Sequence, residues 1–326
     1  MTKPKVFVSR VIPDQGLERI QQTTEADVWP GDEPPPYETL LKKVEGVDGL
    51  VCLLTDKIDG QLMDAAGDGL KVISQMAVGF DNIDIAAATE RGIPVGHTPG
   101  VLTDTTADFA FSLLMTAGRR IVEGVDYVKA GKWRTWGPTL LMGQDIHGAT
   151  LGIVGMGRIG QGMAERASGF GMRVIYHDNF IDPAVAKTLE AESVSLDEVI
   201  EQADFLSLHV PLTDETTHMI STDQFKRMKS SAILINTSRG PVVDPRALYQ
   251  ALKDGDIAHA ALDVTEPEPI PPDDPLLTLD NCIVVPHIAS SSRATRGKMA
   301  TMTADNLDAG LAGQPLPNCV NPEVYG

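Results

Sequence analysis

LGIVGMGRIGQGMAERASGFGMRVIYHD, residues 151–178, sets a glycine-rich turn between a short apolar run and a helix-like run and then closes on an acid. Gly155, Gly157 and Gly160 form G-x-G-x-x-G, following a predicted strand and opening a predicted helix, which is the context that gives the motif meaning. Gly155 permits a tight turn, Gly157 lets the backbone approach a pyrophosphate, and Gly160 lets the helix pack on the strand. The N-terminus of that helix offers free N–H groups and a partial positive charge to phosphates. Asp178 closes the next strand, roughly 20 residues on, where an acid accepts hydrogen bonds from ribose hydroxyls. Arg158 and Ile159, inside the turn, join the candidate cofactor contacts. The segment after Asp178, NFIDP, lacks an Arg or Lys to receive a 2′-phosphate, so NAD is the expected cofactor.

The same alternation of strand and helix runs outward from this turn in both directions. KVFVSRV, GLVCLL, LKVISQMAV and IPVGHT are short β-branched runs separated by helix-like segments. After Pro99 a long helical stretch from about Asp104 to Tyr127 is predicted, with Phe109, Leu113, Leu114 and Ile121 roughly on one packing face. From Leu151 a second series of six strand candidates begins, LGIVG, RVIYHD, FLSLHV, AILINTS, HAALDV and CIVVPHI. A helix from about Arg293 to Ala312 follows. The fold class is therefore α/β, with two doubly wound parallel sheets. EPEPIPPDDP must be loop.

Composition narrows the function. At 326 residues the chain is long enough for two cores, and its formal charge of −18 argues against a nucleic-acid partner. No apolar run approaches a membrane span, and the opening MTKPKVFVSRVIPDQ is too short in apolar residues for a signal peptide. Cys52, Cys282 and Cys319 are far apart and read as reduced thiols, so a cytoplasmic setting is expected. No cluster of His, Cys or acids has metal-ligand spacing, and no metal is expected.

Catalytic chemistry should follow the later strands. INTSRGPVVD places Arg239 just past a strand end, with Thr237 and Ser238 as candidate cofactor contacts. LDVTEPEP places Glu268 in a proline-flanked loop, and VVPHIAS places His287 after another strand. Singly each has an ordinary surface role; together they suit carbonyl reduction. A guanidinium clamps a carboxylate and polarises a keto oxygen, an imidazole gives a proton to the forming alkoxide, and a carboxylate holds the imidazole. Leu54, ending GLVCLL, is either core or a wall of a small-substrate site.

These motifs, with AVGFDNIDIAAATERGIPVGHTPGVLTDTTADFAFSLL and the opening KPKVFVSRVIP, resemble the D-isomer-specific 2-hydroxyacid dehydrogenase family over nearly the whole chain. Within that family the likeness is to glyoxylate/hydroxypyruvate reductases. The resemblance implies a Rossmann cofactor domain, residues 100–289, inserted into a flavodoxin-like substrate domain, residues 1–99 and 290–326. It implies an active site in the cleft between them and a homodimer. It gives Arg239, Glu268 and His287 the catalytic roles argued above, sets the backbone N–H groups of Val78 and Gly79 on the substrate carboxylate, and places Thr106 near the cofactor phosphates and Asp263 on the nicotinamide amide. It carries Trp136 across the dimer into the partner's site. The expected activity is NADH-dependent reduction of glyoxylate or hydroxypyruvate to the D-2-hydroxy acid. Other family chemistries stay open: D-lactate, 3-phosphoglycerate, phosphite, or a dinucleotide-sensing regulatory role. Val78 stands where phosphite-oxidising relatives carry a lysine, and Glu268 where formate-oxidising relatives carry a glutamine, which counts against both. The chain also ends at Gly326 without the regulatory domain often found in 3-phosphoglycerate enzymes.

Overall fold

A computed structural model describes residues 3–326, and the chain divides into two units: one comprises the chain up to Leu102 together with Ser291–Gly326, the other Thr103–Ser290. The first unit holds β1 (Lys5–Val8), β2 (Glu25–Val28), β3 (Gly49–Cys52), β4 (Val72–Gln75) and β5 (Val95–Gly96) in the order β2-β1-β3-β4-β5. All pairs are parallel. This is the flavodoxin-like order. β3 and β4 are buried along their whole length, as strands covered on both faces must be. One face packs Phe7, Leu50 and Ile73 against Leu62, Met63 and Ala88. The other is covered by the helix Arg293–Leu311, whose return brings the end of the chain into this unit. Close approach there depends on small residues: a Cβ on Gly16 would stand 2.3 Å from the Ala300 carbonyl oxygen, and one on Gly310 2.5 Å from Val72 Cβ.

The second unit holds β6 (Thr150–Val154), β7 (Arg173–His177), β8 (Glu192–Ser193), β9 (Phe205–Leu208), β10 (Ile233–Asn236), β11 (His259–Leu262) and β12 (Cys282–Val284). The order is β12-β11-β10-β9-β6-β7-β8, again parallel throughout. The order reverses at β6, between β9 and β7, which is the switch point of a doubly wound Rossmann sheet. Two apolar layers sandwich it, one around Val199, Leu206, Leu234 and Leu248, the other around Leu114, Ile153, Met163 and Ile235.

Three local expectations need correction. The stretch from Asp104 to Tyr127 is two helices, Thr103–Gly118 and Ile121–Lys129, because Arg120 turns left-handed at φ 51°. Ile121 consequently leaves the packing face and is 50% exposed, while Leu113 and Leu114 stay buried. Two strands escaped the periodicity: β2, EADV, is a polar edge alternating exposed and half-buried, and β8 is two exposed residues. Among the described residues no helix is long and apolar enough to cross a membrane.

Candidate active site

In a parallel sheet every strand points the same way, so the loops after β6, β7, β9, β10, β11 and β12 gather along one edge. That edge carries most of the candidate residues of the second unit. The glycine turn leaves β6, and its three glycines differ in what surrounds them. Gly155 has φ +92°, and a Cβ there would sit 2.7 Å from the carbonyl carbon and oxygen of His209, on β9's exit. A Cβ on Gly160 would sit 2.2 Å from the Gly155 carbonyl oxygen. Around Gly157 a Cβ would meet no atom within 4 Å. Gly157 is the N-cap of the helix Arg158–Ser168. Arg158 is exposed and Ile159 half-buried.

Asp178 faces this turn with both oxygens engaged. Oδ2 accepts the Met156 N–H at 2.7 Å; Oδ1 accepts those of Phe180 and Ile181 at 2.7 and 3.1 Å. The acid therefore ties the turn to the next loop, with lone pairs left over for further donors. Thr106 is buried within the helix Thr103–Gly118, which packs on the glycine-turn helix, Gly162 nearly touching Ala107.

Past β10, Asn236 organises the turn that carries Arg239. Its Oδ1 accepts from the Ser238 N–H and hydroxyl at 3.0 and 2.8 Å, and its Nδ2 donates to the Arg239 carbonyl at 2.9 Å. Arg239 is half-buried. Thr237 is buried, and its hydroxyl oxygen has no hydrogen-bond partner among the described residues. Such an orphan is uncommon in a folded interior and leaves a buried hydroxyl with bonding capacity for a bound group. The unobstructed Gly157, the helix N-terminus behind it and the orphaned Thr237 hydroxyl together fit a dinucleotide laid across the switch point.

Glu268 and His287 meet directly: Nδ1 of the imidazole lies 2.6 Å from Glu268 Oε1, with His287 half-buried and Glu268 exposed. Nδ1–H is thus the donor to the carboxylate, and Nε2 is left for chemistry. His287 has a left-handed backbone, φ 51°, which costs energy in a residue with a Cβ. Asp263, at the end of β11, holds it there. Its carbonyl accepts the His287 N–H, and its carboxylate oxygens accept those of Ile288 and Ala289 at 2.6 and 2.8 Å. Burial pushes the Asp263 carboxyl above its ordinary value, against the opposing pull of those two N–H bonds and of His287.

The turn of Arg239 and the loop of Glu268 are pressed together: a Cβ on Gly240 would lie 1.8 Å from the Thr265 carbonyl oxygen. A second contact joins these segments: His218 donates its backbone N–H to Pro241, and its Nε2 lies 2.6 Å from Glu266. His218 and His209 match no catalytic motif and read from sequence as structural or surface groups; His209 pairs through Nε2 with Ser207 Oγ at 2.8 Å, and its burial draws its pKa down to about 4. No short sequence motif announces either contact.

In the first unit, Val78 and Gly79 follow β4, both half-buried, and Leu54 follows β3, half-buried rather than in the core. Trp136, in the second unit, is 78% exposed and Trp133 60%, and the helix Ile121–Lys129 has no buried residue. No group of His, Cys, Asp or Glu among the described residues is arranged to hold a metal ion.

Comparison with known proteins agrees with this geometry. Residues 111–289 match the family described as D-isomer specific 2-hydroxyacid dehydrogenase, NAD binding domain. A glyoxylate reductase of Korarchaeum cryptofilum is 55% identical over 323 residues, 99% of this chain and 97% of the relative. A solved protein of Thermus thermophilus superposes with a TM-score of 0.91 at 47% identity, over 97% of this chain and 99% of that one. A glyoxylate reductase from Paecilomyes thermophila superposes with a TM-score of 0.87 at 31% identity, over 99% and 100%. The chain belongs to the D-isomer specific 2-hydroxyacid dehydrogenase family, as an NAD-dependent oxidoreductase.

Proposed function

We propose that this chain reduces glyoxylate and hydroxypyruvate to the corresponding D-2-hydroxy acids, with NADH preferred to NADPH. The observation that carries the reading is the 2.6 Å contact between Glu268 and His287 on the sheet edge that also bears Arg239 and the glycine turn. When bound, the nicotinamide supplies the hydride that adds to the carbonyl carbon. Arg239 takes the keto oxygen and carboxylate, where its positive charge favours the alkoxide as it forms. Glu268 orients the imidazole through Nδ1, so Nε2–H delivers the proton to that oxygen. The N–H groups of Val78 and Gly79 take the carboxylate, and Leu54 limits substrate size. Residues 1–99 and 290–326 then serve the substrate and residues 100–289 the cofactor. In that cofactor domain Thr106, Arg158, Ile159, Thr237, Ser238 and Asp263 contact the dinucleotide.

Asp178 supports NADH over NADPH, because a 2′-phosphate beside its carboxylate would bring like charges together. The exposed apolar surface around Trp136 supports a homodimer in which the indole reaches the partner's site. A cytoplasmic setting suits the free thiols Cys52, Cys282 and Cys319. The deciding experiment measures kcat/KM for glyoxylate, hydroxypyruvate, pyruvate and phenylpyruvate, each with NADH and NADPH, in the wild type and in His287→Ala. Glyoxylate and hydroxypyruvate with NADH should lead. His287→Ala should lose two to four orders of magnitude in kcat, roughly the span of a positioned acid–base group, with NADH affinity retained. Preference for phenylpyruvate, or full turnover by His287→Ala, overturns the reading.

A further inference from the structure

Val78 and Gly79 are backbone donors, and a loop N–H is useful to a ligand only if something fixes its direction. In a trans peptide the carbonyl of one residue and the N–H of the next point to opposite sides of the chain. Pinning a carbonyl therefore aims the following N–H. After β4 three successive carbonyls are pinned. That of Ala77 accepts the Thr98 N–H at 2.8 Å, that of Val78 lies 3.0 Å from His97 Nδ1, and that of Gly79 accepts from Gln75 Nε2 at 2.5 Å. The N–H groups of Val78 and Gly79, meanwhile, donate to no acceptor among the described residues. The backbone of Thr98 thus aims Val78 N–H, and the side chain of His97 aims Gly79 N–H.

His97 is itself held firmly. Its N–H donates to Asn318, its carbonyl accepts from the buried Asn306, and its ring meets Phe80 edge-on with centroids 5.8 Å apart. Because a carbonyl can only accept, the His97 tautomer in this contact carries its proton on Nδ1. Gln75 is fully buried and equally constrained, its amide exchanging two bonds of 2.9 Å with Asn82 while it holds Gly79.

We propose that His97 is a positioning residue for substrate recognition: by holding the Val78 carbonyl it orients the Gly79 N–H toward the carboxylate of a 2-keto acid. The inference rests on the reading of Val78 and Gly79 as the carboxylate cradle. It assigns a function to a histidine that no catalytic motif contains. It also makes a specific claim about selectivity: His97 matters for substrates with a carboxylate and is nearly silent for those without one.

Two variants separate the hydrogen bond from the packing. His97→Phe keeps a ring against Phe80 and cannot donate. His97→Asn gives up the ring, but its side-chain N–H occupies nearly the place of Nδ1–H. Each is assayed with NADH against glyoxylate and against glycolaldehyde, an aldehyde of similar size with a neutral hydroxymethyl in place of the carboxylate, alongside thermal melting. In His97→Phe the KM for glyoxylate should rise roughly tenfold, the scale of one charge-assisted hydrogen bond, with kcat, KM for NADH and the melting temperature nearly unchanged. Its kcat/KM for glycolaldehyde should move by less than about twofold, and His97→Asn should recover most of the glyoxylate KM.

Wild-type discrimination between the two aldehydes that is undiminished in His97→Phe overturns the role of His97 and leaves the cradle standing. An equal loss on both substrates, or failure of His97→Asn to recover, reduces His97 to a packing residue. A wild type that reduces glycolaldehyde as readily as glyoxylate refutes the cradle and the inference with it.

Discussion

Gly157→Ala separates what the glycine turn does for the fold from what it does for the cofactor. The backbone at Gly157 has φ −66° and ψ −169°, which alanine adopts freely, and the added methyl meets no atom within 4 Å. Replacing glycine by alanine at a compatible site gains about 0.4–1 kcal/mol by restricting the unfolded chain. Alanine is a poorer N-cap than glycine, by about 0.5–1 kcal/mol. The two terms nearly cancel, so the melting temperature should stay within roughly 2 °C of wild type. NADH sees a different change. A methyl on the open side of Gly157 occupies the space through which a pyrophosphate reaches the first N–H groups of the helix Arg158–Ser168. Losing one or two charge-assisted bonds of about 1.5 kcal/mol or more raises Kd for NADH by roughly 10- to 100-fold. Calorimetric titration with NADH and a thermal melt of the same sample read both effects. Gly155→Ala and Gly160→Ala supply the contrast. Their methyls would lie 2.7 Å and 2.2 Å from backbone atoms, so both should destabilise the unit before binding is even measured. A Gly157→Ala protein that binds NADH within about twofold of wild type would refute the placement of the pyrophosphate.

Gly240→Ala should damage catalysis through the backbone, since relieving a 1.8 Å approach to Thr265 pushes the Arg239 turn and the Glu268 loop apart. A misplacement on the order of 1 Å costs about 100-fold in kcat, and a value near wild type would show that the two segments slide freely. Asp178→Ser should improve NADPH use relative to NADH in kcat/KM, at some cost in stability because three N–H groups share that carboxylate; an unchanged ratio removes Asp178 from cofactor selection. Trp136→Ala should raise larger keto acids relative to hydroxypyruvate without changing NADH affinity, and an unaltered substrate order confines the indole to its own loop. His209 predicts an acid limb. With its folded pKa near 4 against an ordinary 6.5, the unfolded state binds the extra proton, so stability falls as pH drops from about 6.5 toward 4. His209→Gln should flatten that limb in urea titrations across pH, and an identical limb would show another group responsible.

Much of this molecule was legible because its decisive features are local. The glycine turn is a run of adjacent residues whose backbone demands only small side chains meet. Arg239, Glu268 and His287 each lie a few residues past an apolar strand, and parallel strands bring their ends to one edge however far apart they are in sequence. The features that escaped are those in which local pattern and tertiary context disagree. β2 pairs correctly with β1 although two of the four residues of EADV are acids, because an edge strand needs hydrogen bonding on one side only. The break at Arg120 has Gly118 as its one local signal, and the guanidinium–Glu123 pair that accompanies it is seen only once the turn has formed.

Asp263 shows why residue type alone underdetermines a role. The family likeness implies that it contacts the nicotinamide amide, whereas its place after a strand suits an ordinary strand-end hydrogen bond. The structure shows that its carboxylate already accepts from Ile288 and Ala289 and its carbonyl from His287. These bonds keep His287 in a left-handed conformation that is intrinsically unfavourable, by an amount on the order of 1 kcal/mol. That conformation sets Nδ1 beside Glu268. Burying an acid raises its free energy in the charged form, and the upward push on the Asp263 carboxyl records that cost. The cost is offset by the three backbone N–H groups, of His287, Ile288 and Ala289, that the residue holds. Those bonds shape the loop that carries His287, and the proposed contact with a carboxamide has to be made by the lone pairs they leave over.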